Sequence, residues 1–338
     1  MLTTIGEVAA KAKVSVATVS RVLNGSCKVS EERRRRVLQA VKELQYEPNL
    51  VGRMLRKSET RTILVVFSIM LPDLIRGIKD AAAAAGYEVI LQYSPGPDTD
   101  ASQFAMLHRG MADGAILPEI QIDNTLLALL YDQFTIVQCG ETTKYPQAHV
   151  VAVNNEEIAC QMTRHLIELG RKRIATVGIG SCQGRPAYFS RERREGVRRA
   201  LDEIGIPLDQ QLHLDVQMGY RGGAEAADYL LSLPERPDAI FCFQDTVAVG
   251  CIQSLHRRGV AVPGDIAVAG FDDSEICQFI DPPLTSVEQP FYEIGREAVR
   301  TWLLIHHDRP NRSIGRQVRL AARLVIREST GGSPSFVD

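Results

Sequence analysis

The stretch Thr4–Asn24, TIGEVAAKAKVSVATVSRVLN, constrains this chain more than any other. Thr4-x-x-Glu7 is a capping box, in which the Thr4 hydroxyl covers the Glu7 amide and the Glu7 carboxylate reaches back to the Thr4 amide. Ile5, Val8, Ala9 and Ala12 then recur at helical spacing. Lys13-Val14 makes a short break. Ser15 can cap a second helix carrying Val16, Ala17, Thr18, Val19, Ser20, Arg21 and Val22. Val19, Val22 and Leu23 can pack inward while Val16, Ala17, Thr18 and Arg21 face out. Such a pair is either two helices of any bundle or a helix-turn-helix, whose second helix enters the DNA major groove by its N-terminal residues.

The charge distribution fits the second reading. Net charge is only -2, yet residues 1–60 hold 12 Lys/Arg against 6 Asp/Glu, and the remainder is net acidic. A basic head on an acidic body suggests a head that meets a polyanion. The 338 residues allow two or three domains with sizeable cores. The seven cysteines are scattered and form no C-x-x-C, which fits a reducing cytoplasm better than a disulfide framework. The N-terminus runs straight into a capped helix with no signal peptide, and no apolar run approaches the roughly 18 residues of a membrane span. A cytoplasmic protein is expected.

After Asn24-Gly25, Ser30-Glu31-Glu32 opens a third helix with Val37, Leu38, Val41 and Leu44 as its apolar stripe. Arg33–Arg36 is either a solvated face or a source of phosphate contacts. Tyr46-Glu47-Pro48-Asn49 breaks this helix, and Leu50–Lys57 follows as a short basic apolar segment, too short for a stable isolated helix.

From Thr62 the pattern alternates strand and helix. Strands are expected at Ile63–Phe67, Val89–Leu91, Ala115–Leu117, Phe134–Val137, Val150–Val153, Ile174–Ile179, Leu214–Val216, Ala239–Phe243 and Ile266–Gly270. Helices are expected at Leu74–Ala85, Ala101–Gly110, Asn124–Leu130, Glu156–Leu169, Arg191–Ile204, Gly222–Leu233, Asp245–Arg258 and from Tyr292 onward. A final strand covers Val318–Arg327, and Thr330–Asp338 reads as a frayed tail. The fold class is α/β: a helical headpiece followed by two doubly wound units with parallel sheets.

Ligands of open parallel sheets bind at the carboxyl ends of the strands. Asp272 follows one strand, Gln244-Asp245 ends another, Arg193 begins a helix opposite them, and Tyr220 lies near a strand end. Asp245 and Asp273 are also good helix N-caps, and Arg191 and Arg194 compete with Arg193 for the inward place. Gly178-Ile179-Gly180-Ser181-Cys182-Gln183-Gly184 has one residue too many for a dinucleotide fingerprint. No catalytic motif appears and the seven histidines fit no zinc spacing, His306-His307 reading as surface. No enzyme chemistry, cofactor or metal is expected.

The wording E-V-A-A-K-A-K-V-S-x-A-T-V-S-R-V-L-N closely resembles the headpiece of the lac repressor (LacI) family, and the likeness runs over nearly the whole chain. It includes Ser58-x-Thr60-Arg61-Thr62-Ile63-Leu64-Val65, Asp281-Pro282-Pro283-Leu284-Thr285 and Gln289-Pro290-x-Tyr292-Glu293-Ile294-Gly295-Arg296-Glu297-Ala298. The resemblance implies a headpiece over 1–46, a hinge helix over 47–59 and a periplasmic-binding-protein-like core. Lobe 1 would be 60–160 with 290–321, lobe 2 would be 161–289 with 322–330, and 331–338 a tail, with crossings near 158–162, 287–291 and 320–324. It implies a DNA-contacting set of Thr4, Ser15, Val16, Ala17, Thr18, Ser20, Arg21, Asn24, Asn49, Leu55 and Arg56. Val16, Ala17 and Arg21 would read base edges, and Leu55 would wedge into the minor groove. Arg193, Tyr220, Gln244 and Asp272 match effector-contact positions.

Two departures from the family pattern stand out. The segment Val66–Asp73 is shortened, and Gln138-Cys139-Gly140 stands where an Asp or Asn is usual. The expected function is a homodimeric repressor that binds a palindromic DNA operator and is controlled by a sugar, nucleoside or purine-like effector. The alternative is a solute-binding protein without a DNA role; a hydrolase on this scaffold is more distant.

Overall fold

The computed structural model describes residues 4–23, 29–44, 59–94, 100–120, 122–140, 145, 147–180, 187–307, 315–332 and 335–337. The chain divides into two units, Met1–Thr60 and Arg61–Asp338.

The first unit holds α1 (Ile5–Ala12), α2 (Val16–Leu23) and α3 (Glu31–Glu43). Both halves of the capping box form: the Glu7 amide donates to Thr4 Oγ1 at 3.3 Å and the Thr4 amide to Glu7 Oε2 at 2.7 Å. Lys13, in the left-handed region at φ 52, closes α1. Ser15 Oγ accepts from the Thr18 amide at 3.2 Å and starts α2. Val8, Ala9, Ala12, Val19, Val22, Val37 and Ala40 make the core. Leu38, expected inside, is half exposed, and Ala40 takes the inward place. Leu38 is turned about 100° from Val37 around the helix, which carries it off the buried face.

The second unit opens with β1 (Thr62–Phe67), α4 (Pro72–Ala84), β2 (Glu88–Tyr93), α5 (Ala105–His108), β3 (Gly114–Pro118), α6 (Asn124–Gln133), β4 (Thr135–Cys139) and β5 (Val150–Val153). The expected helix Ala101–Gly110 is a 3-10 turn, Ala101–Phe104, continued by the single turn of α5. There follow α7 (Asn155–Glu168), β6 (Ile174–Ile179), α8 (Tyr188–Glu203), β7 (His213–Val216), α9 (Tyr220–Ser232), β8 (Ala239–Cys242), α10 (Asp245–Arg257) and β9 (Ala267–Ala269). The chain closes with β10 (Ser286–Glu288), α11 (Phe291–His307), β11 (Gln317–Leu320), β12 (Arg323–Ile326) and β13 (Ser335–Val337).

Two sheets are wholly parallel, with orders β11-β5-β4-β3-β1-β2 and β7-β6-β8-β9. Each has an apolar core on both faces, as covered parallel sheets require. A third sheet, β10-β12-β13, is antiparallel. The order of each parallel sheet reverses beside its first strand, as in doubly wound folds.

Three helix pairs approach closely enough that a glycine must stand at the contact. A Cβ on Gly77 of α4 would strike the Tyr292 carbonyl of α11, and one on Gly295 of α11 would strike the Leu74 carbonyl in return. Gly196 of α8 meets the Glu156 carbonyl of α7, and Gly223 of α9 meets the Val247 carbonyl of α10.

The expectations need four corrections here. Helix α7 already packs into the core of the second sheet, so the first passage between sheets falls at residue 154 and not at 158–162. The single final strand is two: β11 pairs with β5 and β12 with β10, separated at Ala321-Ala322, because its two halves serve different sheets. The tail does not simply fray, since β13 satisfies the outer edge of β12. His306 is buried and stacks on Trp302 with ring centroids 4.4 Å apart, while only His307 is exposed.

Candidate DNA-reading face and effector cleft

On the first unit, α2 turns Val16, Ala17 and Arg21 to solvent. The Ser15 and Thr18 hydroxyls hydrogen-bond each other at 2.9 Å beside them, and Ser20 is half-buried. Apolar Val16 and Ala17 next to a guanidinium offer a methyl-seeking surface and a bidentate donor on one face. The Thr4 hydroxyl is engaged in its cap. Arg33, Arg35 and Arg36 on α3 are exposed, and Arg34 lies 3.9 Å from Glu31. Asn24, Asn49, Leu55 and Arg56 lie outside the described residues.

On the second unit, the carboxyl ends of the strands of both parallel sheets meet in a narrow cleft with about 40 Å³ of free volume. Arg193, Gln244 and Asp272 come together there, with Glu119, Gln289 and the rings of Phe189, Phe243 and Phe291. Arg193 sits in the second turn of α8, which begins three residues earlier than its apolar pattern suggests. It is 4% exposed. Its Nε donates to Asn155 Oδ1 at 2.8 Å and its Nη1 to the Phe243 carbonyl at 2.6 Å. Its guanidinium carbon lies 3.3 Å from the centroid of Phe271 and 4.7 Å from that of Phe189. Burial pulls it down to about 10, and Asp272 is the strongest group opposing this. Of its rivals, Arg194 pairs with Asp215 at 2.8 Å and Arg191 lies against the ring of Tyr188, neither of them lining the cleft.

Asp272 follows β9 with φ 108, a conformation a non-glycine residue holds only at a cost. Its Oδ1 accepts from Gln289 Nε2 at 2.7 Å. Burial drives its carboxyl well above the usual carboxylate range, and Arg193 works against that shift. The strained turn is held from behind. Asp273, at φ 50, accepts from Arg327 Nη1 at 2.6 Å, and Asp245 accepts from Ser286 Oγ at 2.6 Å and the Ser274 amide at 2.7 Å. Neither aspartate caps a helix as expected: Gln244 is the N-cap of α10, and Ser274 that of the turn Glu275–Gln278. Both carboxylates serve the turn that presents Asp272.

Tyr220 does not line the cleft. It opens α9 and is 53% exposed, and Met218 supplies that part of the wall. Gln244 does line it, with Oε1 accepting from Thr246 Oγ1 at 3.0 Å. Glu119 and Gln289 were not among the expected residues, although each directly follows a strand, the same signal that singled out Asp272. Glu119 stands at φ 46, packed against Gly140 at φ 82, where a Cβ would strike its carboxylate. Burial pushes its carboxyl up to about 6 against the pull of Arg193. The shortened Val66–Asp73 segment contributes Ile69 and Leu71 to the wall, so its cleft surface is apolar. Residues 181–186 of the glycine-rich segment lie outside the described residues.

Comparison with known proteins agrees with both halves. Residues 4–49 match the model of bacterial regulatory proteins of the lacI family, and residues 163–330 match a periplasmic binding protein-like domain. The chain is 34% identical to the HTH-type transcriptional repressor CytR of Escherichia coli K12, over 98% of its own length and 97% of the relative's. It is 32% identical to the HTH-type transcriptional regulator DegA of Bacillus subtilis, over 98% of both chains. Among solved structures, the lac repressor dimer bound to operator and the anti-inducer ONPF superposes with a TM-score of 0.83 at 24% identity, over 98% of this chain and 99% of that one. The CelR–cellobiose complex superposes with a TM-score of 0.70 at 30% identity, over 97% and 99%. With an N-terminal helix-turn-helix and a doubly wound, periplasmic-binding-like core, this chain belongs to the lacI family of bacterial regulatory proteins and is a DNA-binding transcriptional regulator.

Proposed function

We propose that this chain is a repressor that binds a palindromic operator as a homodimer and is controlled by a small polar effector held in the cleft. The observation that carries the reading is the convergence of Arg193, Gln244 and Asp272, distant in sequence, on one cleft in a chain that also presents Val16, Ala17 and Arg21 on a recognition helix. Working on DNA, it acts in the cytoplasm.

One head reads a short half-site, so useful affinity needs two heads, and a twofold dimer calls for a palindromic site. Apolar side chains at the surface support such a dimer: Phe279 is 75% exposed, and Met70, Leu91 and Tyr93 are each about half exposed. Ser15, Thr18 and Ser20, with Thr4, Asn24, Asn49 and Arg56, position the head on phosphate, while Arg21 reads a guanine and Val16 and Ala17 face a thymine methyl. Leu55 enters the minor groove between half-sites. The effector favours one setting of the two halves of the core, and when that setting conflicts with the paired hinges, operator affinity falls by a coupling of about 1–3 kcal/mol.

Selection of operators from a random DNA library by the full chain, followed by titration with candidate effectors, tests this. The reading requires an inverted repeat bound by a dimer and at least one small polar compound that shifts its affinity. A direct repeat, or binding of one chain per site, would defeat it.

A further inference from the structure

Resting on the reading of the cleft as an effector site, we propose that Glu119 and Asp272 select an effector bearing a protonated amine or an amidine-like N–H edge, and reject phosphorylated or carboxylated ones. The two carboxylates reach the cleft from the ends of strands in different sheets. The Glu119 carboxylate has no hydrogen-bond partner among the described residues, and it faces the cleft from a half-buried position. Partial burial disfavours the charge of a carboxylate that lacks a donor, and backbone strain at φ 46 adds to the cost of its place in the wall, which suits a partner that arrives with the ligand. Asp272 has one oxygen covered by Gln289, and Asp272 too is held in a strained conformation that aims it into the same space.

The only cation lining the cleft among the described residues is Arg193, and its bonding capacity is largely committed. Two of its nitrogens are tied to Asn155 and the Phe243 carbonyl, and aromatic rings lie close to its guanidinium. It serves as a fixed counter-charge and leaves little for an anionic ligand to grip. An entering phosphate would meet two carboxylates for one spent guanidinium. An entering ammonium or amidine meets two acceptors, each making charge-assisted bonds. The rings of Phe189, Phe243 and Phe291 suit such a ligand as well, because their faces attract cations and pack on flat or apolar ring surfaces. Apolar Ile69, Leu71 and Met218 complete a wall that binds the body of the ligand without further polar demand.

The test uses the full chain and two matched trios: glucosamine, glucose and glucose 6-phosphate; adenosine, inosine and adenosine monophosphate. Thermal shift and calorimetry should show glucosamine binding tighter than glucose, and adenosine, with its exocyclic N–H edge, tighter than inosine, each by about tenfold or more, a factor typical of one added charge-assisted contact, with the phosphorylated member the weakest. Glu119→Gln should erase that preference while leaving the chain folded. Equal or tighter binding of glucose, inosine or the phosphorylated member, an unchanged preference in Glu119→Gln, or no shift with any of the six would overturn the inference. Failure of the underlying reading looks different: a compound would bind equally well to wild type, Glu119→Gln and Asp272→Asn, which moves the site out of the cleft. Binding that Asp272→Asn abolishes, yet that favours glucose, inosine or the phosphorylated compounds, keeps the cleft and discards only the carboxylate selection.

Discussion

Glu119 couples its own protonation to the stability of the core. Its carboxyl is held at about 6, above the 4.5 of a free glutamate, so the folded chain binds that proton more tightly than the unfolded chain does. The contribution is therefore fully present below about 4.5 and is lost as pH rises through about 6. Arg193 and Asp272 are the charged groups that face it. Glu119→Gln keeps the shape and removes the titration, so it should stabilise the chain by about 1–2 kcal/mol near pH 7.5 and change little near pH 4.5. Thermal denaturation at the two pH values checks this; equal gains at both would mean that packing, and not charge, is responsible. For Asp272 the expected cost lies in binding. Asp272→Ala leaves Gln289 and the ligand's donors unpaired in a closed cleft, worth roughly 1–3 kcal/mol. Effector affinity should fall about tenfold or more, with operator affinity in the absence of effector nearly intact. Loss of operator binding as well would make Asp272 a structural residue of its turn.

Among the elements, α2 carries sequence reading on the proposed function, and the helix pairs carry rigidity. Arg21→Ala should relax preference at one position of each half-site, costing about 1–3 kcal/mol there. Uniform weakening on every operator variant in a binding-site array would instead assign Arg21 to phosphate. Gly77→Ala forces a methyl into the Tyr292 carbonyl, and overpacking of this kind costs about 1–3 kcal/mol; chemical denaturation should register it without any change in half-site preference. The elements most legible in the sequence were those with strong local signals. The Thr4/Glu7 box, the Ser15 cap and the apolar runs of β1, β3, β5 and β6 fixed type and approximate bounds, because capping and buried strands leave their mark on neighbouring residues. What escaped depends on partners far along the chain. Nothing local at Ala321-Ala322 separates β11 from β12, since the division follows from pairing with β5 and β10. Nothing local tells that Asp245 and Asp273 brace a turn through Ser286 and Arg327 instead of capping helices. Tyr220 lay close to a strand end, yet its rotation on the first turn of α9 decided its exposure. Glu119 was legible in principle, one residue past β3, but its value emerges only once Arg193 stands opposite.

At the scale of the whole molecule, the free volume of the cleft sets a limit on how a ligand can arrive. Sites for small molecules span roughly 300–1,000 Å³, whereas this cleft offers about 40 Å³ between its walls. A nucleoside or hexose cannot diffuse into it as it stands. If the cleft is the effector site proposed above, capture waits for an excursion in which the two halves of the core part, and the waiting is done by the protein alone. In rapid mixing, the observed binding rate should rise with effector concentration and then level off at the rate of that excursion, instead of climbing linearly. A rate that stays linear to millimolar effector would mean that an open form already dominates in solution. On the proposed reading, the narrow cleft acts as a clock on the regulator, so that its response time to a sudden change in effector is fixed by an internal motion and not by how much effector is present.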